Sequence, residues 1–185
     1  MAKKISVFIL IALCAVSSAF ATIDVSFEEV TDDWVIDFID KYTGGTPLDE
    51  YVEMVDIVDG IFFEYDTEDE FYSVCILYSD GNTAYIEFLP YQIDMYYVEQ
   101  IRIPAEMKSQ TLEIMNECQS RDNDSALGTI ILDNEVIGAR HIILSDGVWD
   151  YGEWAYWSFY YFESYSRNTV DEVLIRLGLK TNRIW

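Results

Sequence analysis

The chain has 185 residues, with 34 Asp and Glu against 11 Lys and Arg, so its formal net charge is −23. Hydrophobic residues make up 51% and aromatic residues 16% of the sequence, which excludes an intrinsically disordered chain and fits one well-filled domain. The charge argues against nucleic-acid binding and against electrostatic anchoring to anionic lipid, because both need clustered Lys and Arg.

The first residues have the pattern of a secretory signal peptide. Two lysines precede an apolar run, Ile5–Val16, and alanines occupy the −3 and −1 positions of a cleavage site after Ala21. The run is shorter than the roughly 20 residues that a membrane-spanning helix needs. The sequence therefore predicts cleavage before Thr22, which leaves residues 22–185 as one secreted or periplasmic domain without a membrane span.

That domain keeps two cysteines, Cys75 and Cys118. An oxidising compartment allows them to form a disulfide, but both lie in apolar segments, which equally fits two buried thiols. The sequence has no C-x-x-C pair and no Cys/His cluster, so no metal site is predicted through these residues.

The first predicted helix spans residues 27–43. Ser26 and Glu29 have the spacing of a capping box, and Gly44-Gly45 ends the helix. Its apolar positions recur at helical spacing: Val30, Trp34, Val35, Phe38 and Ile39.

A β-rich region follows this helix. Residues 51–58 fit either a first strand or a short helix that starts at Pro47. Asp80-Gly81-Asn82 is a hairpin turn, and Pro104 ends a strand over Met95–Ile103. Three further segments are rich in β-branched and aromatic residues and are predicted strands: Ile61–Tyr65, Phe71–Tyr78 and Thr83–Leu89.

The second half contains a helix, a hairpin and a last helix. The first helix spans Ala105–Gln119, the hairpin pairs Gly128–Leu132 with Val136–Leu144, and Thr169 caps the last helix. The predicted apolar face of the first helix is Met107, Leu112, Met115 and Cys118. That of the last helix is Val173, Leu174 and Leu177, before a terminating Gly178. The order of elements predicts an α+β domain in which helices pack on one side of an antiparallel sheet.

The segment Trp149–Tyr165 is dense in aromatic residues and has two interpretations. A helix packed across the sheet buries Trp157, Phe159 and Phe162 in the core. An exposed platform instead binds a protein or sugar rings, since Trp and Tyr combine large area with a polar group. The residues assigned to this candidate surface are Trp149, Tyr151, Trp154 and Tyr160.

No motif for catalysis or for a cofactor stands out. His141 is the single histidine, and its place in a strand favours a structural role. The acidic clusters at Asp66–Glu70 and at Asp122, Asp124 and Ser125 only loosely fit a calcium loop, so ordinary acidic turns are predicted. A hydrolytic carboxylate pair would be hard to single out among so many acids. No metal and no cofactor are predicted.

From Ala105 onward the sequence resembles the YbjN family, described as bacterial sensory transduction regulators. The residues that carry the resemblance are the helix Leu112–Asn116, the strand Gly128–Asp133, the strand His141–Leu144 and the following Asp146-Gly147. The resemblance implies a fold similar to type III secretion chaperones and no catalytic residue. The sequence departs from the family in having Gln119 where an Asn often recurs, and in its secretory signal.

The prediction for function is an exported, non-enzymatic domain that binds another protein in a sensory or regulatory role, with a homodimer among the partners considered. The alternative is a glycan or small-ligand binder that uses the Trp149–Tyr165 aromatics. A hydrolase with an unrecognised carboxylate pair is the third interpretation.

Overall fold

The computed structural model describes residues 30–66, 71–121, 128–144 and 151–181, with the backbone alone at 121 and 151–154. The predicted signal peptide, the capping box and both candidate calcium loops lie outside these residues, apart from Asp66 at the end of a strand.

Six strands form one antiparallel sheet within the described residues. In chain order they are β1 (Val58–Asp66), β2 (Phe71–Tyr78), β3 (Thr83–Leu89), β4 (Gln92–Arg102), β5 (Thr129–Asp133) and β6 (Val136–Leu144). Their order across the sheet is β1-β2-β3-β4-β6-β5, so β1 and β5 lie at the edges. Every neighbouring pair is antiparallel, which confirms the predicted fold class.

Four helices accompany the sheet. They are α1 (Asp32–Thr43), α2 (Leu48–Met54), α3 (Lys108–Arg121, preceded by the 3₁₀ turn Ala105–Met107) and α4 (Tyr151–Arg176). Helices α1, α3 and α4 pack on one face of the sheet, and the core lies between. Phe38 of α1 joins the two layers, since its ring lies 5.6 Å from Phe88 of β3 and 5.5 Å from Phe159 of α4. The opposite face, called the open face, carries the alternate residues of each strand.

Three predictions about the elements need correction or decision. Helix α1 was predicted over residues 27–43 and begins at Asp32, because Thr31 has an extended backbone and occupies the N-cap position. Residues 48–54 form the short helix, not a strand, because Pro47 fixes its φ at −52° and Asp49 and Glu50 occupy the first turn. The predicted separate helix after Thr169 is wrong. Helix α4 runs unbroken from Tyr151, because no Gly or Pro interrupts the sequence between Gly152 and Gly178.

The predicted face of α3 is also partly wrong, because Leu112 is exposed. Thr111 is buried in its place, and its hydroxyl donates to the carbonyl of Met107 at 2.9 Å. That bond allows a polar residue to face the core, which a pattern of apolar residues does not anticipate.

The two cysteines are present as thiols. Cys118 is buried in α3 and Cys75 is half-buried on the open face of β2, and no disulfide joins them. Within the described residues, the structure has no helix that is both long and apolar enough to cross a bilayer.

Candidate functional site

The first half of α4 carries a group of neighbouring aromatic side chains on its outer surface. This group, called the aromatic cluster, consists of Tyr156, Trp157, Tyr160 and Tyr161. Ring centroids lie 5.1 Å apart for Tyr156 and Trp157, 5.9 Å for Trp157 and Tyr160, and 5.6 Å for Tyr160 and Tyr161. Trp157 is 45% exposed, Tyr160 48% and Tyr161 56%, so the cluster forms a continuous aromatic surface in contact with solvent.

Helical periodicity explains why the cluster faces outward. Ala155, Phe159 and Phe162 recur at intervals of four and three residues and are fully buried against the sheet and α1. Residues one position away, such as Tyr160 from Phe159, are rotated by about 100° around the helix axis, and Trp157, two positions from both Ala155 and Phe159, is rotated by about 200°. Trp157, Tyr160 and Tyr161 therefore turn away from the core.

The exposed area of the cluster can be compared with the area of a typical protein interface. An aromatic side chain buries about 150–250 Å² when it is fully covered. The exposed fractions of Trp157, Tyr160 and Tyr161 then correspond to about 200–350 Å² of aromatic surface. Patches of a few hundred Å² on a monomer are commonly functional. A stable protein interface needs about 800 Å² on each partner, so residues around the cluster must contribute as well.

A cavity opens beside Tyr160. It has a volume of about 190 Å³, and Ile57, immediately before β1, lies on its far side. The remaining lining residues come from α4: Tyr160, Glu163, Ser164, Arg167 and Asn168. The cavity therefore places charged and amide groups directly against the aromatic cluster.

Glu163 and Arg167 at the base of the cavity are held by Tyr78 of β2. The Tyr78 hydroxyl donates to Glu163 Oε1 at 2.6 Å, and the Arg167 guanidinium stacks over the Tyr78 ring at 4.0 Å. Arg167 Nη1 also lies 3.7 Å from Glu163 Oε1. Burial raises the pKa of Glu163 despite the opposing effects of Tyr78 and Arg167, and burial likewise raises the pKa of Tyr78.

A polar network extends from Arg167 beneath α4. Arg167 Nη2 lies 3.4 Å from Asp80 Oδ2 in the β2–β3 turn, and Asn82 Nδ2 donates to Glu99 at 2.9 Å. Lys180 Nζ pairs with Asp171 at 2.5 Å and lies 3.7 Å from Glu99. These contacts connect α4 and the residues after it to the sheet at several points. The aromatic cluster therefore lies on a helix whose position is restrained.

The open face has its own charged group, centred on Asp94 of β4. Arg140 of β6 donates to both carboxylate oxygens of Asp94, at 3.1 and 2.6 Å, and the Tyr96 hydroxyl donates at 2.8 Å. Burial and the bond to Asp94 raise the pKa of Tyr96 to about 12. Asp94 is buried and its two oxygens are engaged by these donors, which indicates a structural role.

His141 lies on β6 and is half-buried, with its ring 6.3 Å from that of Phe162. Burial lowers its pKa, which favours the neutral imidazole. Among the residues that the structure describes, no group of three or more His, Cys, Asp or Glu side chains is arranged to hold a metal ion.

The structure describes the predicted surface residues to different extents. Tyr160 belongs to the aromatic cluster. Tyr151 and Trp154 lie in α4, where only their backbone is described, and Trp149 lies outside the described residues. Trp157 was predicted to be in the core and is exposed, whereas the burial of Phe159 and Phe162 is confirmed. Tyr161 was missed as a surface residue, although it follows Trp157 by four residues and so lies on the same side of a helix.

Comparisons with protein-family models, with curated proteins and with solved structures give no match to this chain.

Proposed function

We propose that this protein is an exported, non-enzymatic domain that binds another protein through the aromatic cluster of α4. One observation carries the proposal. Trp157, Tyr160 and Tyr161 are in mutual contact, and each is about half exposed on a helix whose opposite face is fully packed. Trp and Tyr are the residue types most enriched among the residues that dominate binding energy at protein interfaces.

The ion pairs that restrain the position of α4 support this role. Binding costs free energy when side chains and backbone must be ordered, so a preformed aromatic surface binds more tightly than a mobile one. Arg167 and Lys180 fix the second half of α4 and the residues after it to the sheet and its turn. Ring contacts within the cluster further restrict its side chains.

Export belongs to the same proposal and is supported by the signal-peptide pattern that ends at Ala21. The resemblance to the YbjN family supports a sensory or regulatory role for this domain, while the secretory signal favours a site of action outside the cytoplasm. Mass determination of the exported chain should place its N-terminus at Thr22. A chain that still begins at Met1 would contradict export by cleavage.

The interaction is tested by comparing two triple variants as bait in native envelope and culture extracts. The first is Trp157→Gln, Tyr160→Gln and Tyr161→Gln, since Gln keeps a good helix propensity. The matched control is Tyr91→Gln, Leu112→Gln and Leu144→Gln, three exposed large side chains elsewhere. We expect one or more proteins, identified by mass spectrometry, to be retained by the wild type and the control and lost from the cluster variant. Equal retention by both variants would contradict the proposal.

A second candidate is glycan binding, and the cavity beside Tyr160 favours it. Sugars bind where an aromatic ring adjoins hydrogen-bonding groups, and Tyr160 adjoins Glu163, Arg167 and Asn168. Screening on a glycan array, repeated with Tyr160→Ala, separates the candidates. A sugar that is bound by the wild type and lost in the variant would favour this second function.

A further inference from the structure

The region from α1 to β1 has an extreme charge balance. Residues 30–66 contain eleven Asp and Glu and a single cation, Lys41. Ten of these carboxylates are exposed, and the exception is Asp66 at the end of β1. The region therefore presents a strongly negative surface to any approaching molecule.

This acidic region ends in an edge strand, β1. In the sheet of the described residues, β1 is paired only with β2, and this pairing is uninterrupted from Gly60 to Asp66. An edge strand directs alternate backbone N–H and C=O groups away from its neighbour, where they can pair with another strand. Proteins commonly protect such edges with charged side chains, prolines or bulges. β1 has no lysine or proline, and its protection consists of three carboxylates and a register shift between Val58 and Gly60.

The side chains of β1 add apolar contact area. Phe62, Phe63 and Tyr65 are each about half exposed. The Phe62 ring lies over Gly60, and Phe63 stacks on Tyr72 of β2 with ring centroids 5.5 Å apart. An added strand would therefore meet aromatic side chains on both faces of the sheet.

The charges of β1 indicate which kind of strand can pair with it. Asp59, Glu64 and Asp66 are the charged residues of β1, so pairing of β1 with a second copy brings like charges together. A segment with Lys or Arg at alternate positions instead places opposite charges across the pair. We propose that the β1 edge binds an extended, basic segment of a partner protein by strand addition. This site does not depend on the aromatic cluster, although Ile57 lies between the two surfaces.

The test uses a nine-residue peptide in which Lys alternates with Val, titrated into the purified protein. Amide hydrogen exchange should show new protection in residues 60–66. A peptide of equal charge with Pro in place of Val cannot form the ladder and should bind at least about tenfold more weakly. The double variant Asp59→Asn and Glu64→Gln should bind the Val peptide about fivefold more weakly. Its control, Asp133→Asn and Glu135→Gln on the β5–β6 hairpin, should bind it as the wild type does.

Three results would overturn the proposal. The first is equal affinity for the Val and Pro peptides, which would show charge attraction alone. The second is binding without protection of residues 60–66. The third is protection of these amides in the protein alone that increases with its concentration, which would identify a second copy as the occupant. The Trp157→Gln, Tyr160→Gln and Tyr161→Gln variant should bind the peptide as the wild type does. Failure of the proposal for the β1 edge is therefore distinguishable from failure of the proposal for the aromatic cluster.

Discussion

The inner and outer faces of α4 differ in the kind of aromatic residue that they carry. The inner face uses Phe159 and Phe162, which have no polar atom in the side chain and are fully buried. The outer face uses Trp157, Tyr160 and Tyr161, which combine an aromatic ring with a polar N–H or O–H group and are about half exposed. This difference shows that one helix supplies part of the core on one side and an exposed aromatic surface on the other, with a different type of aromatic residue on each side.

The largest effect should come from the inner face. Phe159→Ala removes a ring that contacts Phe38 and Phe162, so it leaves a cavity in the centre of the core. We expect the free energy of unfolding to fall by about 3–5 kcal/mol, measured by urea denaturation. A loss below about 1 kcal/mol would show that the two faces do not differ in the way described.

A smaller, pH-dependent effect should come from Glu163, which lies at the border of the two faces. Because burial raises its pKa, the folded protein binds a proton more tightly than the unfolded chain at this residue. Ionisation of Glu163 therefore lowers stability as the pH rises from about 4 towards the raised pKa. Glu163→Gln lacks this contribution, so its stability relative to the wild type should increase over that interval.

The control for this prediction is Glu50→Gln on α2, where the carboxylate is exposed. This variant makes the same chemical change at an exposed position, and the stability gain of Glu163→Gln with rising pH should exceed that of Glu50→Gln. A Glu163→Gln difference that stayed constant or decreased with rising pH would refute the raised pKa of Glu163.

A third effect concerns a polar residue on the inner face. The hydroxyl of Ser166 is buried and has no hydrogen-bond partner in the part of the chain that the structure describes. Ser166→Ala removes this unpaired group and should raise the free energy of unfolding by about 1 kcal/mol. Ser158→Ala, on the same helix and outside the buried set, is the control and should change little. Destabilisation by Ser166→Ala would indicate that the hydroxyl is bonded in solution.

The smallest effect on stability should come from the outer face. The triple variant Trp157→Gln, Tyr160→Gln and Tyr161→Gln should unfold with a free energy within about 1 kcal/mol of the wild type, since it removes half-exposed side chains. Thermal and urea unfolding measure this directly. A loss comparable to that of Phe159→Ala would mean that the cluster mainly serves the fold.

Most of the fold was predictable because its signals are local. Alternating β-branched and aromatic residues located β2 and β3, and the Asp80-Gly81-Asn82 turn located the hairpin between them. The length of α4 was not predicted, because Thr169, Asp171 and Glu172 imitate a helix start inside a continuous helix. A tertiary contact gives Asp171 a different role in the structure. Its carboxylate accepts a hydrogen bond from Lys180 and does not stabilise a helix N-terminus.

The candidate site was predictable only in part. The density of aromatic residues indicated the segment that carries the exposed aromatic cluster, and Tyr160, which was assigned to the surface, is exposed. Trp157 was assigned to the core because large apolar side chains are usually buried. Phe159 and Phe162 face the core instead, and Trp157 lies on another side of the helix and is exposed. The network beneath α4 joins residues that are far apart in sequence, such as Tyr78 and Glu163, so no local pattern could reveal it.

The most direct test of the central claim is hydroxyl-radical footprinting of the protein alone and in the complex isolated with the wild-type bait. We predict that the oxidation rates of Trp157, Tyr160 and Tyr161 fall several-fold in the complex, while that of the exposed Tyr91 is unchanged. If oxidation of the three cluster residues were unchanged while other residues became protected in the complex, the partner would bind elsewhere. That result would contradict binding through the aromatic cluster.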